Sequence, residues 1–100
     1  AEARLRRGPL EIDRMGQKVT AGGVGIALTS REFALLVHLA QHTDRVVTRA
    51  EILAEVWGTK FDPGTNIVEV HVSRLRDKLG EHSWMVETAR GVGYRLKTTP

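Results

Sequence analysis

The stretch from Asn66 to Leu79, NIVEVHVSRLRDKL, limits what this chain can become more than any other, because as a helix it has two different faces. At about 100° per residue, Val68, Val72, Leu75 and Leu79 gather into one narrow apolar stripe, the pattern of a helix docked on a core. On the far side lie Asn66, Val70, Ser73, Arg74 and Asp77, with Ile67 at the edge. A solvated face would favour Glu, Lys and Gln for their helix propensity. Short polar groups and β-branched Ile67 and Val70 beside one long cation suit instead a surface that meets thymine methyls and a guanine edge. His71, Arg76 and Lys78 flank the two faces, where phosphate strands run if the helix lies in a major groove. Taken alone, the same stretch also fits an amphipathic helix in a bundle.

Composition narrows the setting. One hundred residues, 41% apolar and 27% charged, fit a single domain with one core. The absence of cysteine excludes a disulfide framework and a thiolate metal site, and fits a reducing compartment. No signal peptide is visible and the apolar runs, such as Phe33 to Val37, are too short to span a bilayer, so the expectation is a cytoplasmic protein without membrane contact. The net charge of +3 is concentrated at the ends: residues 1–30 carry five basic and three acidic groups, residues 31–70 four and six, and residues 71–100 six and three. A basic C-terminal third containing most of the two-faced helix is the footprint of a surface that faces phosphate.

Upstream, Ala1 to Arg7 is polar and cationic and stops at Gly8-Pro9, as either a short strand or the tail of a linker. From Leu10 to Leu28, the pieces LEID, KVT and VGIAL, broken by Met15-Gly16-Gln17 and Ala21-Gly22-Gly23, read as a small antiparallel sheet. Gly22, Gly23 and Gly25 match no phosphate-loop motif and read as turns. Thr29-Ser30-Arg31-Glu32 is a capping box that opens a helix with Phe33, Leu36, Leu39 and Ala40 inward and Ala34, His38, Gln41 and His42 outward. His38 and His42 have the spacing of a metal pair, but with no third ligand or carboxylate motif nearby they read as surface histidines, and no metal is expected. Val46 and Val47 precede a second capping box, Thr48-Arg49-Ala50-Glu51, and a short helix carrying Ile52, Leu53, Val56 and Trp57 inward. Gly58 ends it, Asp62-Pro63-Gly64 marks a turn, and Gly64 or Thr65 stands at the start of the two-faced helix, which Gly80 closes.

Beyond Gly80, Met85 to Ala89 alternates as a strand, Arg90-Gly91-Val92-Gly93 is a glycine turn, and Tyr94 to Lys97 returns as its partner. An arginine at the tip of such a hairpin is placed to enter a narrow A·T-rich minor groove. Strands, three helices and a basic hairpin in that order form an α+β winged helix-turn-helix, whose last helix enters the major groove.

Four blocks carry a family resemblance: LTSREFALL (residues 28–36), VVTRAEILAEVW (46–57), NIVEVHVSRLRDKL (66–79) and TARGVGYRL (88–96). In this order and spacing they resemble the C-terminal effector domain of OmpR/PhoB-type two-component response regulators, over roughly residues 10–97. The resemblance implies sequence-specific binding of double-stranded DNA to control transcription, with helix 66–79 in the major groove and wing 88–94 in the minor groove. It implies base contacts from Val70, Arg74 and Ile67, and backbone contacts from Asn66, His71, Ser73, Arg76, Trp57 and Thr88. Arg90 matches the minor-groove reader, and Thr59, Lys60, Phe61 and Asp62 lie in the loop that contacts RNA polymerase in activators of this class. Ser73 and Asn66 stand where relatives often carry Arg, which removes possible phosphate charges.

The resemblance further implies that residues 1–7 are a linker remnant and residues 8–100 the domain. The receiver domain that such proteins carry upstream, through which a sensor histidine kinase acts, is absent from this chain. Head-to-tail pairs on direct repeats are expected, and no cofactor. The competing class is a winged-helix module whose Ile67/Val70/Arg74 face docks a protein. An enzyme fits poorly, since no paired acids with a nucleophile, no metal constellation and no phosphate loop stand out.

Overall fold

The computed structural model describes residues 3–100, which form two antiparallel sheets around three helices. Strands β1 (Arg4–Arg7), β2 (Leu10–Asp13), β3 (Lys18–Ala21) and β4 (Val24–Ile26) join in sequence order. Alternation along them turns Leu5, Leu10, Ile12, Val19 and Ala21 inward and leaves the charged residues between them outside. The sheet therefore starts ahead of the boundary expected at residue 8. Leu5 is buried opposite Ile12, a single apolar side chain that the surrounding arginines mask in the sequence. Of the segment read as a linker remnant, Ala1 and Glu2 lie outside the described residues. Arg7 fastens the sheet to the helices by donating from Nε to Ala40 O and to Thr43 Oγ1, both at 2.9 Å.

Helix α1 (Ser30–Gln41) begins at the expected capping box: Thr29 Oγ1 accepts from the Glu32 amide at 3.2 Å, and Glu32 Oε1 accepts from the Thr29 amide at 2.9 Å. Glu32 is only 1% exposed, and its carboxylate also receives Lys78 Nζ at 2.5 Å. Burial alone would raise its pKa, but Lys78 and the Thr29 amide outweigh burial and hold it below the ordinary value. Lys78, expected beside a phosphate strand, is thus an internal partner of α1.

Helix α2 (Arg49–Val56) has Thr48 as its N-cap, accepting from the Glu51 amide at 3.1 Å. Only this half of the second capping box forms. The Glu51 carboxylate turns instead to His38 and to Arg45, a charged donor that outcompetes a neutral backbone amide. Helix α3 (Ile67–Leu79) buries Val68, Val72, Leu75 and Leu79, the four stripe residues. It ends at Gly80, whose φ of 57° turns its amide onto the carbonyls of Arg76 and Asp77.

A 3-10 turn over Gly80–Met85 follows, so Met85 is buried in that turn instead of opening the next strand. The second sheet holds β5 (Val47–Thr48), β6 (Val86–Ala89) and β7 (Gly93–Leu96) in the order β5-β7-β6. The hairpin expected from the sequence is therefore the outer part of a three-stranded sheet, extended by the two residues that lead into α2. A winged helix-turn-helix results, with the wing hydrogen-bonded to the start of the helix pair.

Candidate nucleic-acid interface

The outward face of α3 holds together as expected. Asn66, Ser73, Arg74 and Asp77 are exposed, while Val70 and, at the edge, Ile67 are half-buried. Asn66 occupies the N-cap but makes no side-chain capping bond, which leaves its amide outward. Arg74 has no hydrogen bond or ion pair among the described residues, in contrast to most arginines of the domain. A cation held on a packed helix and left without an internal partner retains all five donors for an external acceptor.

Arg76, two residues further, serves a different purpose. It donates from Nε to Val86 O at 2.9 Å and from Nη2 to Thr88 Oγ1 at 2.7 Å, and its guanidinium lies 5.8 Å from the centre of the Tyr94 ring. One side chain thus ties α3 to both strands of the wing. At the wing's tip the Val92 amide donates to Ala89 O at 2.9 Å, and Gly91, with φ 74°, takes the left-handed position of that turn. Arg90 and Val92 are exposed there, and Arg90 has no partner among the described residues.

His71 and Trp57 meet edge to face, with ring centres 5.0 Å apart. His71 Nδ1 lies 2.8 Å from Ile67 O. An acceptor there fixes the proton on Nδ1 and leaves Nε2 available. Trp57 also meets Arg31, whose guanidinium sits 5.4 Å from its ring centre and donates to Val56 O.

The α2–α3 loop carries Thr59, Lys60, Phe61 and Asp62, and Phe61 is 83% exposed. Thr59 Oγ1 accepts from the Phe61 amide at 3.2 Å, and Asp62 Oδ1 from the Gly64 amide at 2.9 Å. The residue that anchors this loop is Arg49, which sequence reasoning passed over. It donates from Nε to Glu69 Oε2 at 2.8 Å, from Nη2 to Thr65 O at 2.6 Å, and from Nη1 to Asp62. Arg49 thereby binds the start of α2, the loop and the first turn of α3. Its hydrogen bonds hold the Asp62 and Glu69 carboxyls below their usual range. A signal existed: a cation at the first position of a helix opposes the helix dipole, so an arginine there calls for strong partners elsewhere.

Away from this face, the expectation of histidines without a carboxylate is overturned. Glu51 of α2 comes up to α1 so that donor atoms of His38, His42 and Glu51 lie within 4.8 Å of one another. Among the described residues, no helix is long and apolar enough to cross a membrane.

Comparison with known proteins places this geometry. Residues 23–96 match the family model described as transcriptional regulatory protein, C terminal. The chain is 45% identical over 92 residues to the transcriptional regulatory protein PrrA of Mycobacterium leprae, covering 90% of this chain and 40% of PrrA. It is 39% identical over 98 residues to CusR of Escherichia coli, covering 96% of this chain and 43% of CusR. The chain thus spans well under half the length of these relatives. Among solved structures, the RstA DNA-binding domain of Klebsiella pneumoniae in complex with the RstA box superposes with a TM-score of 0.87 at 30% identity, over 98% of this chain and all of that one. The DNA-binding domain of CpxR from E. coli gives 0.86 at 31%, over 99% of this chain and all of that one. With the four sequence blocks, the helix-and-wing geometry and these relatives agreeing, the chain belongs to the C-terminal domain family of OmpR/PhoB-type transcriptional response regulators.

Proposed function

We propose that this domain binds double-stranded DNA sequence-specifically and so controls transcription, as the effector half of a two-component response regulator. The observation that carries this reading is Arg74: an exposed guanidinium, without a partner among the described residues, on a helix otherwise moored to the core, with Ile67 and Val70 beside it. A helix is about 10–12 Å across with side chains, which matches the width of the B-DNA major groove. In this arrangement Arg74 reads a guanine edge, and Val70 and Ile67 meet thymine methyls. Asn66, Ser73, His71, Trp57 and Thr88 lie at the flanks for phosphate, and Arg90 enters the minor groove. Arg76 contributes to the backbone with its Nη1 donors and the second N–H of Nη2, since Nε and one Nη2 donor are engaged by the wing.

The finer roles follow from the same assignment. The relatives' greater length supports a receiver domain upstream, with a sensor histidine kinase as its partner and the cytoplasm as its location. Head-to-tail pairs on direct repeats would raise the effective concentration of the second domain. The loop around exposed Phe61 is the surface for RNA polymerase.

Titration of operator-bearing and mixed-sequence duplexes across salt concentrations tests the assignment. Groove binding gives a linear fall of log affinity with log salt. Arg74→Ala should cost about 1–3 kcal/mol and relax preference at one base position. An unchanged footprint and affinity in Arg74→Ala would remove α3 from the groove. A flat salt response together with retention of a protein partner would favour the interaction-module reading.

A further inference from the structure

We propose that His38, His42 and Glu51 form a binding site for a borderline transition-metal dication such as Zn2+ or Co2+, bridging α1 and α2. Three observations converge on it. His38 and His42 are one helical turn apart on α1, the spacing at which two imidazoles reach a common ion. Glu51 comes from a different element, so the three ligands approach from two directions, and all three donor atoms lie within 4.8 Å of one another. A tetrahedral ion with bonds of about 2.0–2.1 Å needs its donors only slightly over 3 Å apart, so small side-chain rotations suffice.

The hydrogen bonding around the three side chains also suits a metal. His38 Nε2 and Glu51 Oε2 are 2.7 Å apart and share a proton that an ion would replace. Arg45 Nη2 and Nη1 donate to Glu51 Oε2 and Oε1 at 2.9 and 3.2 Å, which fixes the orientation of the carboxylate. Among the described residues Arg45 is the cation paired with the cluster; retained on Oε1 and released from Oε2, it would orient the carboxylate as an outer-shell partner while Oε2 takes the ion. The His38 side chain is 13% exposed and that of Glu51 27%, enough for an ion to enter and for water to complete the coordination. Two imidazoles and one carboxylate select Zn2+, Co2+, Ni2+ or Cu2+ over Mg2+ and Ca2+, which prefer an all-oxygen shell. The sequence hides this site because its third ligand lies nine positions beyond the histidine pair, inside what reads as a capping box.

The test is a Co2+ titration of the intact domain followed in the visible, with Zn2+ competition and His ring resonances followed by NMR. One ion should bind per chain, with His38 and His42 ring signals shifting while those of His71 and His82 stay in place. His42→Ala and Glu51→Gln should each weaken Co2+ binding by at least about tenfold. Circular dichroism and metal-free melting of both variants confirm that they remain folded, and His42→Ala, at the C-cap of α1, covers the case in which Glu51→Gln does not. Binding that survives both substitutions, or that is lost instead in His71→Ala or His82→Ala, overturns the assignment. So does the absence of any ring shift at millimolar Zn2+.

Discussion

The four-stranded sheet joins neighbours in sequence through short turns, whereas the three-stranded sheet sets Val47–Thr48 against Gly93–Leu96 with two whole helices in between. The first sheet is local and its side chains are held chiefly by alternation. The second closes a long loop, and its contacts are specific. Gly93 has no room for a side chain: a Cβ there would overlap the Val47 carbonyl and stand 2.8 Å from Thr48 Cα. Gly25 in β4 has nothing within 4 Å of the same position. The difference teaches where this domain is rigid by necessity: at the seam between the helix pair and the wing, not in the sheet that precedes them.

The largest break in that contrast should come from Gly93→Ala. Pushing β7 off β5 is an overpacking insult against backbone, expected to cost about 3 kcal/mol in urea unfolding. Next comes Arg76→Ala, which removes charged-donor bonds to Val86 O and Thr88 Oγ1 and should cost about 1.5–3 kcal/mol. Wing amides should then exchange faster than those of β1–β4. If Arg74→Ala destabilises as much as Arg76→Ala, the division of labour between these two arginines is wrong.

Acid should separate the sheets more gently. In the second sheet, burial raises the Glu87 carboxyl while Arg95 and Lys97 lower it, with a net fall, and Arg49 lowers Glu69 beside the wing. A carboxyl whose folded pKa is depressed stabilises above its unfolded value, near 4.5, and loses that contribution as pH falls through the folded value. Wing and α3 resonances should therefore lose dispersion below pH 4.5 ahead of global unfolding; simultaneous loss everywhere would show that the seam has no separate acid sensitivity. The smallest effect, and of opposite sign, is expected for Gly25→Ala. Restricting the unfolded chain at an open position should add about 0.5 kcal/mol.

The same contrast explains what could be read in advance. The α1 capping box, the α3 stripe and the short strands from Leu10 onward depend on neighbours within a few residues, and each is visible as a pattern. The strand at Val47–Thr48 is invisible because its partner is more than forty residues away and two residues have no periodicity. Arg49 and Glu51 sit inside a motif that accounts for them locally, yet both side chains leave it for charges outside the motif. On α3, burial could be inferred from spacing, but spacing cannot distinguish Arg74, left free, from Arg76, drawn onto the wing.

The Arg76 bridge bears on the thermodynamics of association. Because one guanidinium spans β6 and faces Tyr94 of β7, the wing reaches any partner with its orientation to α3 already set. Less conformational entropy is then surrendered on docking. Calorimetry of the bridged and unbridged forms on one duplex should register this as a more unfavourable entropy for Arg76→Ala, with the apolar area buried, and hence the heat-capacity change, nearly the same.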